Sequence, residues 1–203
     1  MPKTPELQRE QSLVARARRD PDAFRELYHH YFPRIYAYIS YRVGRVQDVE
    51  DLTAETFLKA VEALPRFRWQ GQGSFAAWLF RIAHNAVASF YRAGDRPLEP
   101  IRPEALPDLR ATDTLPADAL ARKELLAQLR HLIGALTQRQ QEIVTLRFFG
   151  ELRNQEIARL LKLDERTVAA HLCRGIRTLQ ALYREQAIRQ EVAEPTHSEV
   201  SHD

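Results

Sequence analysis

The chain has 203 residues, 44% of them hydrophobic and 28% charged, with 30 Lys and Arg against 27 Asp and Glu. That balance excludes wholesale disorder and leaves room for one ordinary domain or two small ones. No run approaches the roughly 18 apolar residues of a membrane span, and the first residues, MPKTPELQREQ, lack the apolar core of a secretory leader, so a cytoplasmic protein is expected.

Charge is segregated along the chain. Residues 1–93 carry 14 Lys and Arg against 10 Asp and Glu, and residues 119–185 carry 12 against 7. The stretch 94–118 carries 3 against 6, and 186–203 carries 1 against 4. Two basic blocks alternating with two acidic ones suggest modules for a polyanion. Five of the eleven prolines fall between Pro97 and Pro116, so 94–118 reads as a flexible, acidic linker. It divides a helical domain at 1–93 from a second at 119–185, and 186–203 reads as a disordered tail.

In the first domain, Ala23, Phe24, Leu27, Tyr28, Tyr31, Ile35 and Tyr36 recur at helical steps, with Pro33 expected to break or kink that helix. The next helix, DVEDLTAETFLKAVEAL, places Ala54, Phe57, Val61 and Leu64 on one expected buried side. Asp48, Asp51, Glu55 and Glu62 line the other side, with Leu58 at the edge of the stripe. The stripe reads either as a solvated helix face or as a docking surface for a basic partner, and Leu58 favours docking, since an apolar residue within a charged patch gains from being covered.

Arg66, Phe67, Arg68 and Trp69 follow Pro65 in a glycine-containing loop, and Ser74 is placed to cap the next helix. There Phe75, Leu79, Ile82, Ala86 and Phe90 make the inward stripe, while Arg81, Asn85 and Arg92 share the polar side beside His84. Guanidiniums, amides and an aromatic in a loop suit single-stranded nucleic acid, whose bases need flat partners and whose phosphates need cations. Trp69 is the stacking candidate; Trp78 and Phe90 are assigned to the core.

The second domain opens with Thr137 and Gln140 as a capping box, and Gly150 ends that helix. Asn154 is placed to cap a short helix carrying Ile157, Leu160 and Leu161, and Asp164 to cap a third. Val168, Leu172, Gly175 and Leu179 face inward there, leaving Arg166, Ala170, Cys173, Arg174 and Arg177 outward. A short helix, a turn at about Lys162–Asp164 and a second helix make a helix-turn-helix, and its arginines suit phosphates and guanine edges. The fold expected is all-α, two small helical domains on a Pro-rich linker.

Enzymatic patterns are lacking: there is no HExxH, GxGxxG or phosphate-binding loop, and the single cysteine, Cys173, excludes a disulfide and a multi-cysteine metal site. No catalytic residue, metal or cofactor is expected.

DVEDLTAETFLKA, GSFAAWLFRIAHNAVASFYR and LTQRQQEIVTLRFFGELRNQEIARLLKLDERTV, in that order, resemble bacterial RNA polymerase sigma factors of the extracytoplasmic-function (ECF) subfamily. The resemblance covers about residues 20–185. It implies that Asp48, Asp51, Leu52, Glu55 and Leu58 dock on the clamp helices of the polymerase's largest subunit. It assigns Arg66, Phe67, Arg68, Trp69, Ser74, Arg81, His84, Asn85 and Arg92 to opening and holding the minus-10 promoter element. It assigns Arg166, Thr167, Ala169, Ala170, His171, Cys173, Arg174 and Arg177 to the duplex minus-35 element. An anti-sigma factor is an implied further partner.

This sequence departs from the family pattern at Ala169, Ala170 and His171, at Lys162 where glycine is frequent, at Arg153, and at His84 and Ser89. Promoter preference therefore does not transfer. Two rival expectations are a stand-alone helix-turn-helix regulator and a polymerase-binding adaptor without promoter reading.

Overall fold

The computed structural model describes residues 4–71, 73–94, 128–129 and 131–193, and every regular element among them is helical. Most of the linker and the end of the tail lie outside the described residues.

The first domain is built from α1 (Thr4–Arg16), α2 (Pro21–Ser40), α3 (Val46–Ala63) and α4 (Ser74–Gly94), with a 3-10 turn at Leu64–Arg66. Asp20 caps α2 by accepting the Asp22 amide at 3.0 Å, and Pro21 begins the helix with its φ already set. Contrary to expectation, Pro33 does not interrupt α2. Buried Ala23, Leu27 and Tyr31 lie before it, Ile35, Tyr36, Tyr38 and Ile39 after it, and packing on both sides holds one helix through the missing amide.

α3 is rotated from the expected phase. Its buried residues are Val49, Leu52, Thr53, Thr56, Phe57 and Ala60, while Ala54 and Val61 face solvent. Thr53 and Thr56 tolerate burial because each hydroxyl donates to a carbonyl of the same helix, Val49 and Leu52 respectively, both at 2.7 Å. α4 buries Phe75, Ala76, Leu79, Phe80, Ala83, Ala86 and Val87 against α2 and α3.

The second domain comprises helical residues 131–134, α5 (Gln138–Phe148), α6 (Asn154–Leu161) and α7 (Glu165–Ala193). The Thr137–Gln140 capping box is formed. The cap of α6 lies one residue earlier than expected, at Arg153, whose amide donates to Glu156 at 2.7 Å; Asn154 is the first helical residue. Lys162 takes the left-handed conformation, φ 57° and ψ 44°, that turns the chain from α6 into α7. Asp164 caps α7 by accepting the Thr167 amide at 2.7 Å, and its carboxyl is held below the usual range by the Thr167 side chain and backbone. α6 and α7 form the helix-turn-helix. α7 runs on to Ala193, so residues 186–193, expected to be disordered, are helical.

The two domains are in direct contact. Buried Ile143, Leu146, Leu152, Ile157, Ala158 and Val168 belong to the same hydrophobic cluster as the interior of the first domain.

Candidate functional site

Three surfaces carry the residues singled out in the sequence. On α3, Asp51 and Leu58 are exposed, Leu58 by 61%, and Glu55 pairs with Lys59 on the next turn. Asp48 is half-buried, 4.0 Å from the Arg45 guanidinium. Leu52 is 4% exposed and belongs to the core, so it supports this surface rather than forming it. Val61, 47% exposed, takes its place: Ala54, Leu58 and Val61 recur at four- and three-residue steps as an apolar ribbon flanked by Asp51, Glu55 and Glu62.

On the second surface, Arg66, Arg68, Arg81, Asn85 and Arg92 are exposed, and Trp69, Ser74 and His84 are half-buried. Phe67 is 7% exposed and is corrected to a core residue, with its ring centroid 5.6 Å from Phe75 and 4.9 Å from Trp78. Its carbonyl accepts from Arg18, a tie from the end of α1 that holds the loop in place. Gly73 rather than Ser74 takes the cap position of α4: its φ is 72° and its carbonyl accepts the Ala77 amide at 2.9 Å. The Ser74 hydroxyl accepts the Gln70 amide at 3.2 Å instead. Arg92 donates to the Ser89 hydroxyl at 2.9 Å.

On α7, Arg166, Ala169, Ala170, Cys173, Arg174 and Arg177 are exposed and Thr167 and His171 are half-buried. Val168 is fully buried and Leu172 partly so, as the inward stripe requires.

Sequence reasoning missed what lies between the domains. A cavity of about 460 Å³ opens between the loop before α4 and α6, lined by Arg66, Arg68, Arg81, Arg153, Arg159 and Trp78 among others. Nearby, the Glu142 side chain of α5 is 7% exposed and meets three cationic or protonatable groups. Arg42 donates to it at 2.8 Å, Arg139 at 2.9 Å, and His84 Nδ1 lies 3.1 Å away. Burial pushes that carboxyl up, but hydrogen bonding from His84 and the charge and hydrogen bond of Arg42 outweigh it and hold its pKa at about 2. Arg34 donates to the carbonyls of Phe149 at 3.0 Å and Gly150 at 2.6 Å. Arg139 is three residues from Glu142 on the same helix, but the other partners are dozens of residues apart in sequence, and no local pattern announces them.

A family model described as Sigma-70 region 2 matches residues 27–96, and one described as Sigma-70, region 4 matches residues 126–179. The chain is 38% identical over 176 residues to the ECF RNA polymerase sigma factor BldN of Streptomyces coelicolor, covering 86% of this chain and 66% of that protein's length. It is 32% identical to the RNA polymerase sigma factor YlaC of Bacillus subtilis, over 69% of this chain and 80% of that one. Among solved structures, that of CnrH in complex with the cytosolic domain of CnrY superposes with a TM-score of 0.61 at 25% identity, covering 85% of this chain and 96% of CnrH.

Proposed function

Because this chain belongs to the extracytoplasmic-function sigma factors of bacterial RNA polymerase, we propose that it binds core polymerase and directs it to promoters, in the cytoplasm and without catalysis of its own. Residues 1–93 dock on polymerase and open the minus-10 element; residues 119–185 read the minus-35 element. The observation that carries the docking assignment is the ribbon of Ala54, Leu58 and Val61 on α3, apolar yet open to water and rimmed by carboxylates. A basic partner helix would cover the apolar strip and meet Asp51 and Glu55 at its edges.

Arg66, Arg68, Trp69, Arg81, His84, Asn85 and Arg92 would hold the melted non-template strand. Extruding a base costs a few kcal/mol of unstacking, which contacts to its face and its phosphates return. Thr167, Ala169, Ala170, His171 and Cys173 on α7 would face the minus-35 groove, with Arg166, Arg174 and Arg177 on phosphates and guanine edges. Three exposed arginines on that face favour promoter reading over an adaptor that has lost it. An anti-sigma factor is the inhibitory partner expected, in keeping with the capture of the similar CnrH with the cytosolic domain of CnrY.

The test is transcription in vitro, with sigma-free core polymerase, fragmented genomic DNA and sequencing of RNA 5′ ends. Discrete starts sharing two upstream elements are expected. Asp51→Arg combined with Leu58→Glu should abolish core binding while leaving the helical content unchanged; unchanged affinity would overturn the docking surface.

A further inference from the structure

We propose that the arginine-lined cavity between the loop before α4 and α6 is a binding site for a free nucleotide carrying two or more phosphates, filled while the two domains are in contact, the closed form of the chain.

Two walls of different origin supply the charge. Arg66 and Arg68 come from the 3-10 turn and the loop after it, Arg81 from α4, Arg153 from the cap of α6 and Arg159 from its last turn. Against these five guanidiniums the described lining holds one carboxylate, Glu156, which is buried and already paired with Arg153 at 2.8 Å. Among the described residues Arg66, Arg68, Arg81 and Arg159 form no ion pair. A concave surface lined by one sign of charge focuses its field and draws in a counter-ion. Guanidinium forks match phosphate oxygens two at a time, so phosphates in series meet several forks where a single small anion meets one.

The rest of the lining suits a base. Trp78, half-buried, packs on Phe67 and Phe75 with centroids 4.9 and 5.4 Å away and lines the cavity together with Ala63, Ala77 and Leu160. An aromatic ring beside aliphatic groups gives the face of a nucleobase a place out of water, and Gln70 and Ser74 bring amide and hydroxyl groups to its edge. The volume of about 460 Å³ is that of a small-molecule site, and walls from both domains suit a single nucleotide better than a running strand.

The walls are set before anything binds. Arg18 donates to the Phe67 carbonyl, and the Gln70 amide donates to the Ser74 hydroxyl at 3.2 Å, so the loop is tied on both sides of Arg68. Gly73 lets α6 come close, since a Cβ there would lie 2.6 Å from Glu156 Oε1. Donors fixed in advance lose little freedom on binding, which leaves more of the contact energy as affinity.

Arg66, Arg68 and Arg81 are also assigned to the melted minus-10 strand, so nucleotide and strand would compete for them. That consequence rests on the sigma-factor reading; nucleotide binding does not. A ligand that touches both walls binds the closed form alone and therefore favours it.

The experiment is titration calorimetry of the full chain with guanosine diphosphate and adenosine diphosphate, against guanosine monophosphate and inorganic pyrophosphate as reference ligands. One diphosphate per chain is expected, about tenfold or more tighter than either reference, because each reference forfeits one half of the contacts. Arg68→Ala in the loop and Arg159→Ala on α6, with unchanged circular dichroism, should each weaken binding about tenfold, the loss of one charge-assisted contact. Arg184→Ala, exposed on α7 and outside the cavity, should not. No binding of either diphosphate overturns the site. An equal loss in all three variants would mean diffuse attraction to a basic surface and overturns it too, and a loss at Arg68 with none at Arg159 overturns the two-domain wall. Pyrophosphate binding as tightly as the diphosphates overturns the nucleotide assignment. In transcription with core polymerase, guanosine diphosphate should inhibit the unsubstituted chain more than Arg159→Ala; equal inhibition overturns the competition. Nucleotide binding by a chain that never supports transcription would leave the site standing and remove the sigma-factor reading instead.

Discussion

Lys162 stands where the chain must turn left-handed. With φ at 57°, its Cβ crowds the backbone at a cost of roughly 1–2 kcal/mol that glycine does not meet. The turn is nonetheless enforced: the amides of Lys162 and Leu163 both donate to the Ala158 carbonyl, the latter at 2.9 Å, and close the end of α6. Lys162→Gly removes the crowding and returns part of the gain as unfolded-chain entropy. It should stabilise the protein by about 0.5–1 kcal/mol, read as a higher urea midpoint at unchanged slope. Gly150 sets the opposite case, since a Cβ there would lie 2.4 Å from the Leu146 carbonyl oxygen. Residue identity marked Gly150 as a helix end but did not reveal that the turn at Lys162 would be made without glycine.

At the scale of elements, α7 tests whether an exposed basic face meets DNA. Arg174 and Arg177 lie on adjoining positions of the solvent side and carry no charge partner on the protein among the described residues. If each neutralises one phosphate, replacing both with alanine should weaken promoter binding and reduce the salt slope of log K by about two. Titration at several salt concentrations measures it, and an unmoved slope would show that this face never meets phosphate. The helices, the capping box and the helix-turn-helix were legible because caps and periodicity are local. The facing of α3 was not. Thr53 and Thr56 read as polar, so the apolar positions Ala54 and Val61 were assigned inward; their hydroxyls in fact satisfy themselves on the helix and free that side for the core. Leu52 and Phe67 enter the functional surfaces through the family resemblance, which carries a position over without saying on which side of a face's edge its side chain packs; both are buried.

For the whole molecule the decisive group is Glu142, whose partners Arg42 and His84 no sequence pattern brings to it. Its pKa in the closed form is held at about 2, below the ordinary 4.5 of a glutamate facing water. The proton therefore binds more readily once the contact is broken, and Glu142 stabilises the contact between the domains in full above about pH 4.5. As pH falls from there toward 2 the carboxylate is lost while Arg42 and Arg139 stay charged, leaving two guanidiniums beside a neutral acid in a low-dielectric contact. Closure should weaken progressively through that window, ahead of unfolding of the separate domains. The distance between spin labels at Gln11→Cys and Gln180→Cys, in a Cys173→Ser background, followed from pH 7 to 3 should lengthen below about pH 4.5 when Glu142 is retained. Glu142→Gln, which has no proton to take up, should start more open at pH 7 and show a smaller change. A distance that stays constant down to acid unfolding, in both chains alike, would mean that apolar packing around Phe149 and Ile157 holds the domains together and that the carboxylate only orients them.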